Sequence, residues 1–126
     1  MGFLVLMIFF TLLIPFIMVI FGRVFLKQSP KSINILFGYR TSRSMKNMET
    51  WKFAHKTLGK IWWICGIILS IVSVISILLF IGGSKEIIGN VGSIIMVVQL
   101  IALFITVFYV EGALKKKFDD EGNPLD

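Results

Sequence analysis

Three long stretches of this chain carry no charge, and a chain with three such stretches cannot fold as a small soluble domain. Phe3–Gly22 has 20 residues without a charged side chain, Ile61–Gly83 has 23, and Ile87–Val110 has 24 with only Asn90 and Gln99 strongly polar. About 20 apolar residues are enough for a helix to cross the hydrocarbon of a bilayer. In lipid every backbone N–H and C=O must be satisfied inside its own segment, so each stretch is expected to be a helix. Hydrophobic residues make up 56% of the 126 and charged residues only 16%. The expected fold class is all-α: an integral membrane protein of one membrane domain, 1–126, with helices at 3–22, 61–83 and 87–110. Between them lies a basic loop, 23–60, and after them a tail, 111–126.

The first stretch is read as a retained helix. No basic segment precedes it, it is longer than the apolar part of a signal peptide, and no small-residue cleavage site follows. Pro15 inside it is expected to bend it, which membrane helices tolerate. Cys65 is the single cysteine, so no intrachain disulfide can form, and its neighbours offer no metal-ligand spacing. It reads as inert packing. No set of residues points to a cofactor.

Positive charge fixes an orientation. Arg23–Lys60 holds nine Lys/Arg and one acid, Glu49; the link Ser84-Lys85-Glu86 holds one lysine; the tail holds Lys115, Lys116 and Lys117. Twelve basic residues on one side against one on the other place the N-terminus outside and both the loop and the C-terminus in the cytoplasm of a cell membrane. Trp51, Trp62, Trp63 and Tyr109 fall near the same interface, where amphipathic rings prefer to sit. Topology and attraction to anionic lipid account for Lys27, Lys31, Lys60 and the Lys115–Lys117 run.

Within the loop, Ser29-Pro30 marks a turn. Ile33, Ile35, Leu36 and Phe37 are apolar and are expected to dip back into the interface. From Asn47 the pattern turns helical. Asn47 reads as an N-cap, with Glu49 in the first turn where its charge meets the helix dipole. Trp51, Ala54, His55, Leu58 and Trp62 share one face, and Lys52, Lys56 and Lys60 share another. That is an amphipathic helix of about three turns, lying on the membrane or feeding directly into the second spanning helix. Gly59, Gly66 and Ser73 recur every seven residues with Ser70 beside them, a small-residue stripe suited to close helix packing. It leaves room for a homodimer. Gln99, near mid-bilayer, is expected to turn inward and find a partner on a face shared with Gly92, Met96, Leu103 and Thr106. The tail FDDEGNPLD reads as a short disordered acidic end without the spacing of a calcium loop.

The chemistry is expected to sit in GYRTSRSMKNMETWKFAHK, Gly38–Lys56. No HExxH, GxSxG or P-loop is present, and His55 has no acid at helical spacing to orient it as a base, so no catalytic residue is assigned. Arg40, Arg43 and Lys46 are three residues apart and are positioned to converge on a phosphate or carboxylate. Tyr39, Thr41, Ser44 and Asn47 are available for further hydrogen bonds. Gly38 supplies a backbone conformation that other residues resist. The loop is short and held at the bilayer, so direct nucleic-acid binding is not expected.

GYRTSRSMKNMETWKFAHKTLGK resembles the signature of the SdpI-type family of small bacterial membrane proteins, which give immunity against a secreted toxin peptide. The residues that carry the resemblance are Gly38, Tyr39, Arg40, Thr41, Arg43, Ser44, Lys46, Asn47, Glu49, Trp51, Ala54, His55 and Gly59. Ser42 stands where the family pattern has a proline, and His55 stands where it has an asparagine. The resemblance implies a non-enzymatic immunity protein with a toxin peptide as partner, and a second role in which the occupied protein holds a cytoplasmic transcriptional repressor at the membrane. Two readings of the residues stand beside it. One is a membrane-tethered signalling module that captures a soluble regulator on its basic loop. The other is a protein that binds or modifies anionic lipid headgroups.

Overall fold

The computed structural model describes residues 2–33 and 38–125. Regular structure among them is helical: α1 (Gly2–Lys27), α2 (Met48–Leu79) and α3 (Lys85–Lys117). All three are long and apolar enough to cross a membrane, and the chain is a multi-pass membrane protein. The expected interfacial placement of Ile35, Leu36 and Phe37 lies outside the described residues.

The short amphipathic helix and the second spanning helix are one element. α2 has 32 residues, about 48 Å at 1.5 Å per residue, against a hydrocarbon thickness of about 30 Å. The excess is about three turns, which is the part that bears Lys52, Lys56 and Lys60. All three lysines are exposed, while Trp51, Ala54, His55 and Leu58 are buried. α2 starts where Asn47 caps it: Thr50 N–H donates to Asn47 Oδ1 (2.9 Å), and Asn47 N–H donates to Thr50 Oγ1 (3.1 Å). α3 also outruns the bilayer, continuing past Val110 to Lys117, with Glu86 in its first turn and three lysines in its last. Both charge placements suit the helix dipole.

α1 and α2 pack backbone to backbone. A Cβ on Gly22 would stand 2.5 Å from Trp63 N, and one on Gly59 would stand 2.8 Å from Gly22 O. Gly66 meets Pro15 O and Val19 in the same way. The glycines of the small-residue stripe are therefore used within the chain, between α1 and α2.

Mid-bilayer, one side chain ties the three helices. Pro15 has no N–H, so the carbonyl four residues earlier, that of Thr11, lacks its helical partner. Gln99 on α3 supplies the missing donor: its Nε2 donates to Thr11 O (2.7 Å) and to Ser73 Oγ on α2 (2.9 Å). Gln99 is wholly buried.

The loop end of the bundle has a core like that of a soluble protein. Phe25, Tyr39, Ala54, Leu58, Val110, Leu114 and Phe118 pack together there. Phe118 draws the tail into this cluster, which corrects the expectation of a disordered end. Asp119 Oδ1 accepts from the N–H groups of Glu121 and Asn123, both at 2.9 Å. Phe118 pairs with Pro124, and Gly122, at φ +87°, makes the turn.

Gln99→Leu is expected to cost about 1–2 kcal/mol of stability, because it leaves the Thr11 carbonyl buried between the helices without that donor. Pro15→Ala restores an N–H to that carbonyl, so the penalty of Gln99→Leu should shrink in its presence. A double-mutant cycle of unfolding free energies in bicelles measures this; equal penalties in both backgrounds would contradict the pairing.

Candidate functional site

The motif segment folds into a compact cap on the loop end, and most of its uncharged polar side chains are turned inward. Gly38 has φ +111°, and a Cβ there would lie 2.7 Å from His55 Nε2 and 3.2 Å from Trp51. Glycine is needed for both reasons. The approach lets Tyr39 N–H donate to His55 Nε2 (2.8 Å), and His55 Nδ1 is 2.8 Å from the Trp51 carbonyl. The two contacts set the neutral tautomer: Nδ1 carries the proton and Nε2 accepts. His55 is 0% exposed, packed against the rings of Trp51 (4.3 Å between centroids) and Phe25 (4.8 Å). It faces the protein interior, not the membrane interface. Trp51 is equally buried, and its indole N–H donates to Pro30 O (3.0 Å), fixing the start of the loop.

The other end of Tyr39 reaches α3. Its hydroxyl donates to Glu111 Oε2 (2.5 Å), and Thr41 Oγ1 donates to the same oxygen (2.9 Å). Burial, and then Glu111 beside it, push the Tyr39 phenol well above its ordinary range, so it remains the donor. Charge-assisted bonds of this kind are about twice as strong as neutral ones. Between Tyr39 and Asn47 the chain closes on itself. Thr41 N–H donates to Ser44 Oγ (2.9 Å), Ser44 Oγ–H reaches Tyr39 O (2.9 Å), and Thr50 Oγ1 reaches Ser44 O (3.0 Å). Ser44 is fully buried.

The cationic residues go elsewhere. Arg43 pairs with Asp120 of the tail (2.8 Å), and Asn47 Nδ2 donates to Gly122 O (2.8 Å). Lys46 is exposed beside this contact, and Glu49 is exposed on the first turn of α2. Arg40 is exposed on the rim of an apolar groove whose lining includes Phe21, Phe25 and Trp62. Of the expected anion clamp, Arg43 is thus engaged by the chain's own tail. Gly59 and Gly66 face α1, Ser73 holds Gln99, and Ser70 Oγ donates to Gly66 O (2.7 Å) within its own helix.

Sequence reasoning missed Glu111, Phe118, Asp120 and Gly122. Glu111 did carry a signal: it is the acid that ends the charge-free third stretch, four residues before a basic run. The model of the SdpI/YfhL protein family matches residues 31–110, well over half of the chain. The protein belongs to the SdpI/YfhL family. Comparisons with curated proteins and with solved structures gave no match. In this SdpI/YfhL protein the matched region takes in the rest of the loop, all of α2 and most of α3. Glu111 and the tail that complete the cap lie just beyond it.

Two outcomes are expected. Tyr39→Phe keeps the N–H bond to His55 but loses the Glu111 contact, and should lower stability by about 1.5–3 kcal/mol in an unfolding titration. The tail should respond to acid. The N–H groups of Asn123 and Glu121 hold the Asp119 carboxyl below the usual carboxylate range. A carboxyl lowered in the folded state contributes stability above its unfolded value, and that stability is lost as pH falls through the folded value. Amide exchange at Glu121 and Asn123 should therefore be flat with respect to tail docking above about pH 4 and lose protection below it.

Proposed function

We propose that this SdpI/YfhL protein is a non-enzymatic immunity protein that protects the membrane of a producing bacterium against a secreted antimicrobial toxin peptide. Family membership carries the reading. The geometry supports it: Tyr39, Thr41, Ser44, Asn47, Trp51 and His55 are engaged in holding the cap together. What faces outward is apolar helix surface and a basic rim, which suits binding better than bond-making. By the positive-inside rule the cap and the C-terminus lie in the cytoplasm, and the N-terminus and the Phe80–Ser84 turn lie outside. The toxin partner would meet the lipid-exposed helices within the bilayer.

A second role is supported by the outer turns of α2. Lys52 and Lys56 are exposed, on the part of the helix that stands clear of the hydrocarbon, where an acidic patch of a soluble regulator such as a transcriptional repressor could be captured. Charge reversal at both should abolish co-purification of that regulator and leave protection intact.

The test of the main reading is survival. A toxin-sensitive bacterium without its own immunity gene, expressing this chain, should survive challenge with the secreted peptide. Arg40→Ala, at wild-type abundance in the membrane, should lose most of that protection. Killing at the rate of cells with an empty vector, with the wild-type chain confirmed in the membrane, would contradict the proposal.

A further inference from the structure

The loop end carries a groove of about 340 Å³ that none of the hydrogen bonds above accounts for. Leu58 and Trp62 of α2 and Ile17 and Phe21 of α1 line it, and Tyr39 and Arg40 close it on the cap side. Its depth in the bilayer can be read from charge. The uncharged part of α1 ends at Gly22, before Arg23, and that of α2 begins at Ile61, after Lys60. Phe21 and Trp62 therefore stand where hydrocarbon gives way to headgroups, a level that aromatic rings favour. Ile17 is one turn deeper and 42% exposed, so the groove opens toward the acyl chains. At its other end, on the cap side, stands the exposed Arg40.

We propose that this groove is a binding site for an anionic phospholipid, with one acyl chain along Ile17 and Phe21 and the phosphate at Arg40. Its lining is mostly apolar and opens at Ile17 toward the bilayer, which suits an extended acyl chain. Its polarity runs from apolar within the bilayer to cationic at the surface, which is the polarity of a lipid in the same leaflet. A planar guanidinium binds phosphate oxygens in a fork, and a net anionic headgroup adds an attraction that a zwitterionic one cancels. The inference goes beyond the immunity reading and does not depend on it.

Tryptophan quenching tests the site on the full chain. Trp51 is 0% exposed and silent to lipid. Trp63 lies under Arg23, 5.3 Å from ring centroid to guanidinium, and Trp63→Phe removes its signal. In that background Trp62 reports on the groove. The protein is reconstituted in phosphatidylcholine vesicles doped with either phosphatidylglycerol or phosphatidylcholine brominated in the acyl chain. Brominated phosphatidylglycerol should quench at about fivefold lower mole fraction, the factor that one surface charge contributes. Arg40→Gln should abolish the preference, and Lys116→Gln, at the same end of the bundle but outside the groove lining, should leave it unchanged. Equal quenching by the two lipids, or a preference that survives Arg40→Gln, would overturn the proposal. Loss of the preference in Lys116→Gln as well would also overturn it, since general surface charge would then be the cause.

Discussion

Tyr39 is bound at both ends, and the cap depends on it. Its backbone N–H is accepted by a buried imidazole on α2 and its hydroxyl by a carboxylate on α3, 16 and 72 residues away in the chain. One residue of the loop thus joins two helices that meet directly less than α1 and α2 do. Everything else at the loop end follows from that seat. Gly38 must bring the backbone close to His55, Thr41 is placed to share Glu111, and Ser44 closes the turn that presents Asn47 as the cap of α2. Arg40 is exposed beside these inward-turned side chains, and Arg43 turns to the tail.

The membrane half is held by different forces. There the helices gain little from burying apolar surface, because lipid is as apolar as they are. Close backbone approach at Gly22, Gly59 and Gly66 and the Gln99 node hold it. Pro15 opens a hole in the α1 hydrogen-bond ladder, and Gln99 fills it from another helix. The proline and the polar residue are two halves of one device.

Much of this was legible in the sequence. Charge-free runs located the three spanning helices, the spacing of Trp51, Ala54, His55, Leu58 and Trp62 marked a buried face, and Asn47 marked a helix start. The inward turn of Gln99 followed from the cost of a polar amide in lipid, but its partner did not, because pairing a proline with a glutamine on another helix needs the tertiary fold. The partners of Glu111 were hidden for the same reason: local spacing cannot reveal a bond across 70 residues. The tail looked disordered because three consecutive acids dominate its composition, while the residues that order it, Phe118 and Gly122, act through a core and a turn. Even spacing of Arg40, Arg43 and Lys46 suggested convergence, and the acidic tail instead takes Arg43 for itself.

The motif segment is a folded cap seated on His55 and Glu111, not a basic loop resting on lipid. Amide hydrogen exchange of the protein in lipid nanodiscs tests this most directly. Strong protection is expected at Tyr39, Thr41 and Ser44, with Tyr39 protection falling in His55→Leu while the amides of Ile67–Ile77 stay protected. Exchange of those three amides in the wild-type protein as fast as in an unstructured peptide would contradict it.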